Sequence, residues 1–211
     1  MQSKDSRRPG SFLLLPLLCL SLIPFSSVFA LDEMEKLESL APMSGPDQRP
    51  VGWEWHYIDQ QGKAGYMRKV AESEDTASYK RSDGCQWTRE ARGFAPATIW
   101  SDCPSTGVAK AEFIGGDIWP LKVGNKFAYR MQGKSSFFSF KWDSDRTCEV
   151  LYGVRVKTVS GTYDTFKIVC VERWGTRSWW FSPEVGTAVA YQQKTSRNEL
   201  ILQEMTRIVI P

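Results

Sequence analysis

Few side chains in this sequence are able to do chemistry, and their spacing matches no common catalytic device. His56 is the single histidine, whereas a serine or cysteine hydrolase needs a base beside its nucleophile. It sits in Trp53-Glu54-Trp55-His56-Tyr57-Ile58, whose alternation makes it a strand residue among aromatics. No glycine-framed serine, phosphate loop or dinucleotide fingerprint accompanies it. Carboxylates offer more, because two acids flanking a glycosidic bond suffice to hydrolyse it. Asp143, Asp145, Asp164, Glu172 and Glu184 are the candidates, although acids in turns and on exposed strand faces also serve solubility alone. No residue is assigned a catalytic role and no cofactor is expected.

Aromatic residues are the second resource. All nine tryptophans follow residue 30, and each supplies a large apolar body with one N–H donor, suited to a core or to a surface that stacks on ligands. Trp174, Trp179, Trp180 and Phe181 form the densest group and are the candidate ligand-binding residues. Adjacent residues of a strand point to opposite faces, so Trp179 and Trp180 separate, one to the core and one to the far face.

Four cysteines follow residue 30, namely Cys85, Cys103, Cys148 and Cys170. An even number in an exported chain favours disulfides. Three connectivities exist; Cys85 with Cys103 and Cys148 with Cys170 is favoured, since each pair closes a short loop within one local β region. Each bridge is worth about 3 kcal/mol on the loop-entropy model. No two cysteines have the close spacing of zinc ligands and only one histidine is available, so no metal site is expected.

The elements that must position these groups begin after a targeting segment. Lys4, Arg7 and Arg8 precede an apolar run from Phe12 to Phe25, and Ser26-Ser27-Val28-Phe29-Ala30 has the small-residue pattern of a cleavage site, so residues 1–30 read as a signal peptide. Pro16 and Pro24 interrupt the run, which is short for a membrane span. Cys19 follows Leu17-Leu18 rather than small residues and is discarded with the signal. Export implies a periplasmic or secreted protein, and no later apolar stretch is long enough to span a membrane. Removing Lys4, Arg7, Arg8 and Asp5 leaves 24 basic and 23 acidic side chains from 27 and 24. A nearly neutral chain without an isolated basic cluster is not built for nucleic acid.

Residues 31–52 read as a short helix, with Asp32 as cap and Met34, Leu37 and Leu40 at turn spacing, followed by a proline-rich linker. From Trp53 onward, short aromatic and β-branched runs punctuated by glycine, aspartate and proline predict strands. They fall near 53–58, 65–71, 76–81, 85–91, 111–118, 126–132, 136–142, 148–159, 163–173, 177–182, 186–193 and 199–209. In the clearest, Cys148, Val150, Tyr152, Val154 and Val156 alternate onto one face, and Ser160-Gly161 offers the turn into a hairpin. One-sided sheets must cover their apolar face, so the fold class is all-β, an antiparallel sandwich or barrel-like sheet. Residues 53–118 and 119–211 each hold one cysteine pair and form one or two small β subdomains.

Three ordered segments carry a resemblance: Trp119-Pro120-Leu121-Lys122-Val123-Gly124, Gly161-Thr162-Tyr163-Asp164-Thr165-Phe166-Lys167-Ile168, and Trp179-Trp180-Phe181-Ser182-Pro183-Glu184-Val185-Gly186. They resemble a group of uncharacterised exported bacterial β proteins in which a PLKVG entry strand, a GTFDTFKI hairpin and a WYSPEVG turn recur within a domain of unknown function. The resemblance covers roughly residues 119–200. It implies bacterial origin, export and β architecture, and no functional residue. Physically, Pro183 presets a turn and Gly186 is placed to absorb a positive φ, so Ser182–Gly186 is a hairpin connector.

Three functional readings follow. The first is an envelope-associated, non-catalytic protein binding a glycan, a lipid or another protein through an aromatic face or cavity. A lipid-handling periplasmic carrier needs a large apolar concavity, and a carboxylate-dependent hydrolase of envelope polysaccharide needs two facing acids.

Overall fold

The structure, a computed structural model, describes residues 31–43, 49–91 and 93–211. The predicted signal peptide at 1–30, Cys19 within it, and residues 44–48 of the predicted linker lie outside the described residues. Among the described residues the secondary structure is thirteen strands: β1 (Asp32–Leu37), β2 (Glu54–Asp59), β3 (Ala64–Glu72), β4 (Thr76–Arg81), β5 (Gln86–Glu90), β6 (Ala97–Ser101), β7 (Gly107–Gly116), β8 (Lys126–Ser135), β9 (Phe138–Thr158), β10 (Gly161–Glu172), β11 (Gly175–Ser182), β12 (Thr187–Thr195) and β13 (Leu200–Val209). From β2 to β13 each strand pairs antiparallel with the next, and β13 returns to β2, closing a twelve-stranded barrel. Closure pairs each strand of the barrel on both sides, the protruding part of the β9–β10 hairpin excepted. The regions 53–118 and 119–211 share this one sheet, joined through β7 with β8 and β13 with β2.

Residues 32–37 overturn the helix expected there. They form β1, which pairs with β9 at Gly153–Val156 and Lys157, beyond the point where β8 has left that strand. A helix this short does not hold alone, whereas the strand completes an open ladder. Its acids are also engaged: Glu33 accepts from Lys167 Nζ at 2.7 Å and Trp180 Nε1 at 2.8 Å, and Glu35 from Arg155 at 2.6 Å. The runs 136–142 and 148–159 are one strand of 21 residues, β9. Asp143-Ser144-Asp145-Arg146-Thr147 joins them because its alternation is polar on both faces, with Ser144 and Arg146 buried. The strand β6 was not foreseen, and Trp119–Gly124 is a turn, not an entry strand, bridged at Leu121 to Met43 outside the sheet. Ser182–Gly186 does connect β11 to β12, with Gly186 at φ 70°.

A bulge redirects β9. Val150 pairs with Ile168 and Tyr152 with Lys167, which leaves Leu151 as the extra residue. Cys148 and Val150 therefore share the face of Cys170 and Ile168, while Val154 and Val156 share that of Thr165 and Tyr163 on the opposite side, rather than one common face. Beyond the bulge, the hairpin outruns β11, and the Val159 amide at its tip donates to Glu204 on β13 at 3.0 Å. The hairpin thus lies over the outside of the wall, where Val154 and Val156 pack in one cluster with Trp180 and Ala190.

One end of the lumen is filled. Phe127, Tyr129, Val150, Phe166, Ile168 and Phe181 meet there, plugged by Phe94 from the β5–β6 loop and by Ile118 and Leu121 from the β7–β8 loop. Both favoured disulfides are present. Cys148–Cys170 links registered partners of β9 and β10 inside this core, and Cys85–Cys103 ties the β4–β5 turn to the β6–β7 loop. Two such bridges fit an oxidising compartment outside the cytoplasm.

Candidate functional site

Towards its other end the barrel holds a cavity of about 580 Å³, within the range of small-molecule and oligomer sites. Every tryptophan except Trp53 and Trp180 lines it, which resolves what composition leaves open: most of the indoles border a space rather than fill one. Near the open end, Trp100, Trp142 and Trp174 form a row, with ring centres 6.3 Å and 6.4 Å apart. Two glycines make room for it. A Cβ on Gly107 would meet the Trp100 ring at 2.2 Å, and one on Gly133 the Trp142 ring at 2.6 Å. Each indole therefore lies over the bare backbone of a neighbouring strand, against the wall and not across the lumen.

Charge is the second feature of the wall. Arg49, Arg81, Arg89, Arg146 and Arg177 border the cavity, and among the described residues Glu172 is the one carboxylate that does. Glu172 takes two bonds from Arg146, at 2.9 Å and 2.6 Å, and one from Arg177 at 2.8 Å. Burial opposes its charge, but Arg177 and Arg146 outweigh that and hold its carboxyl below the usual carboxylate range. Arg81 is paired with Asp83 at the β4–β5 turn. Deeper in, Arg49 donates to Thr187 Oγ1 at 2.7 Å and lies 3.8 Å from the Trp53 ring centre. Burial pushes its guanidinium down to about 9, so it remains a cation at neutral pH. The cavity is aromatic and net positive.

Of the predicted ligand-binding residues, the structure brings Trp174, Trp179 and Phe181 onto the cavity wall. Trp179 stands 5.6 Å from Tyr191, and Phe181 is packed among Phe94 and Trp119 at the filled end. Trp180 takes the outer face, as the alternation of β11 requires, and is buried beneath β1 with its N–H on Glu33. The candidate acids do not converge. Asp143, Asp145 and Asp164 pair on the outside with Arg173, Arg130 and Arg155, and Glu184 is exposed in the β11–β12 turn. His56 is bonded to Glu54 at 2.6 Å on the outer face of β2.

The inward arginines escape the sequence reading. A signal was present: Arg89 shares the parity of Trp87, Arg177 that of Trp179, and Arg146 that of Trp142, so charge and aromatics alternate onto one face together. Near-zero net charge concealed it, because the balancing acids lie mostly outside.

No family model matches the chain, and no curated protein sequence does. Among solved structures, it is similar to the hypothetical lipoprotein YmcC from Escherichia coli K12, with 7% identity over 77% of this chain and 86% of that one, at a TM-score of 0.48. An exported protein with a YmcC-like fold from Bacteroides fragilis gives 12% identity over 80% and 100% of the two chains, at 0.35. A lipoprotein from Parabacteroides distasonis gives 10% identity over 81% and 100%, also at 0.35.

Proposed function

We propose that this protein is an exported, non-catalytic binding protein of the cell envelope whose ligand site is the barrel lumen. The observation that carries the reading is the half-open lumen itself: tryptophans laid against the wall by glycines, with guanidiniums between them and space of about 580 Å³ left over. Burying cations beside empty space costs stability unless something is gained there. Paired disulfides support a place outside the cytoplasm.

The hydrolase reading lacks its second acid, since Glu172 alone borders the cavity among the described residues and is locked between two arginines. A lipid carrier calls for an apolar concavity, and these guanidiniums make a poor surface for an acyl chain.

The test is an array of envelope glycans and lipids probed with the processed protein and with Ala97→Trp, which fills the lumen from β6. Ligands held by the natural protein should be lost by the variant, at an unchanged circular dichroism spectrum, and bound oligosaccharide should be recovered at its original mass. Equal binding by the variant, or cleavage of the ligand, would overturn the reading.

A further inference from the structure

The lumen also narrows the ligand's chemistry, an inference that rests on the lumen being the ligand site. Arg89 turns inward on β5 two residues past Trp87. Its Nη2 donates to Tyr79 Oη at 3.3 Å, its guanidinium lies 4.8 Å from the Tyr79 ring centre, and its Nε is buried with no hydrogen-bond partner among the described residues. A buried donor without an acceptor is costly, and because Nε itself is closed to solvent, it is the rest of this half-buried guanidinium that faces the lumen and can meet a ligand. Arg49 and the buried Lys69 also act on this tyrosine, so three cations gather around Tyr79, Lys69 being paired with Glu72. The one acid that borders the cavity among the described residues is not available to Arg89, because Arg146 and Arg177 already share it. That triad itself leaves one positive charge in excess.

From the deep end outward the wall thus runs from the Arg49–Arg89 pair, through the Arg146–Glu172–Arg177 triad, to the Trp100–Trp142–Trp174 row. A lipid anion has its charge at one end, and its chain would lie along dehydrated guanidiniums. A sugar chain bearing carboxylates alternates the two chemistries: C–H faces that stack on indoles, and planar acceptors that guanidiniums hold in a bidentate fork. The geometry points to an acidic oligosaccharide of the uronic acid class as the ligand, with rings on Trp100, Trp142 and Trp174 and a carboxylate received by Arg89 and Arg49.

Isothermal titration calorimetry with four probes tests this: trigalacturonate, its neutral methyl ester, a hyaluronan tetrasaccharide and phosphatidylglycerol vesicles. A uronate should bind at least about tenfold more tightly than the ester, the fold-change of one charged hydrogen bond, and lose affinity as salt rises. Arg89→Gln should weaken the acid several-fold more than the ester and so shrink the preference, and Trp142→Ala should weaken acid and ester alike. Arg89→Lys, which keeps the charge but not the planar fork, should fall between, and it serves if the glutamine variant does not fold. If the ester binds as tightly as the acid, or Arg89→Gln keeps the preference, the acidic-saccharide assignment is wrong; a loss in Trp142→Ala would then still leave the lumen as the site. Binding of vesicles alone, or of none of the four, also overturns the assignment.

Discussion

The two ends of the barrel use the same strands and differ in what those strands turn inward. Towards the filled end, β8 presents Phe127 and Tyr129, β9 Val150 and Cys148, β10 Ile168 and Cys170, and β11 Phe181; towards the open end the same strands present Met131 and Gly133, Arg146 and Trp142, Glu172, and Arg177. An eight-stranded barrel is about as wide as its own side chains can fill, and twelve strands enclose more. The filled end therefore borrows Phe94, Ile118 and Leu121 from loops. At the open end glycines keep the aromatics off the axis. Stability is concentrated at one end and solvent-facing chemistry at the other.

The comparison is sharpened most by deleting one large aromatic from each end. Phe166 is fully buried, and Phe166→Ala should cost about 4 kcal/mol in urea unfolding, whereas Trp142→Ala, beside space already empty, should cost less than half as much. Equal costs would erase the distinction. Next comes Glu172→Gln, which strands Arg146 in the wall and should cost about 3 kcal/mol. Because the folded carboxyl is held below its unfolded value of about 4.3, its contribution is complete above that pH and is lost as pH falls through the lower, folded value. Melting temperature followed from about pH 7 to about pH 2 should therefore fall less steeply on the acid side in Glu172→Gln.

A smaller effect probes the glycine seats. Gly133→Ala drives a methyl into the Trp142 ring and should destabilise by about 2 kcal/mol, part of it recovered when Trp142→Ala is added, as a double-mutant thermal cycle would register. Full additivity would mean that Trp142 does not lie where Gly133 admits it. Least of all, Asp143→Asn on the exposed face of β9 should change stability by no more than about 0.5 kcal/mol and leave glycan binding unaltered; a loss of binding would move the site to the outside.

Strands were legible in this sequence wherever apolar and polar residues alternate, as in Phe127-Ala128-Tyr129-Arg130-Met131, because local period reports which face is covered. The cysteine pairing was legible because Cys148 and Cys170 lie in neighbouring strands, and Cys85 and Cys103 just beyond the ends of the neighbouring strands β5 and β6. What local pattern misled on was decided by distant partners. Met34, Leu37 and Leu40 have helical spacing, yet the free ladder of β9 claims Asp32–Leu37. Val150 and Val154 alternate in phase along the chain, yet the bulge at Leu151 puts them on opposite faces. At the site, the split between Trp179 and Trp180 followed from strand geometry, but which of them faces the lumen depends on closure of the barrel. The role of Gly107 and Gly133 was hidden for a related reason: the indoles they seat come from other strands, 7 and 9 residues away in the chain.

The most direct test of an open aromatic lumen as the binding site is a ¹⁵N titration of the indole N–H resonances with trigalacturonate. The account predicts shifts for Trp100, Trp142 and Trp174, with Trp180, held by Glu33 on the outer face, unmoved. A saturated complex in which Trp180 shifts and the lumenal three do not would contradict it.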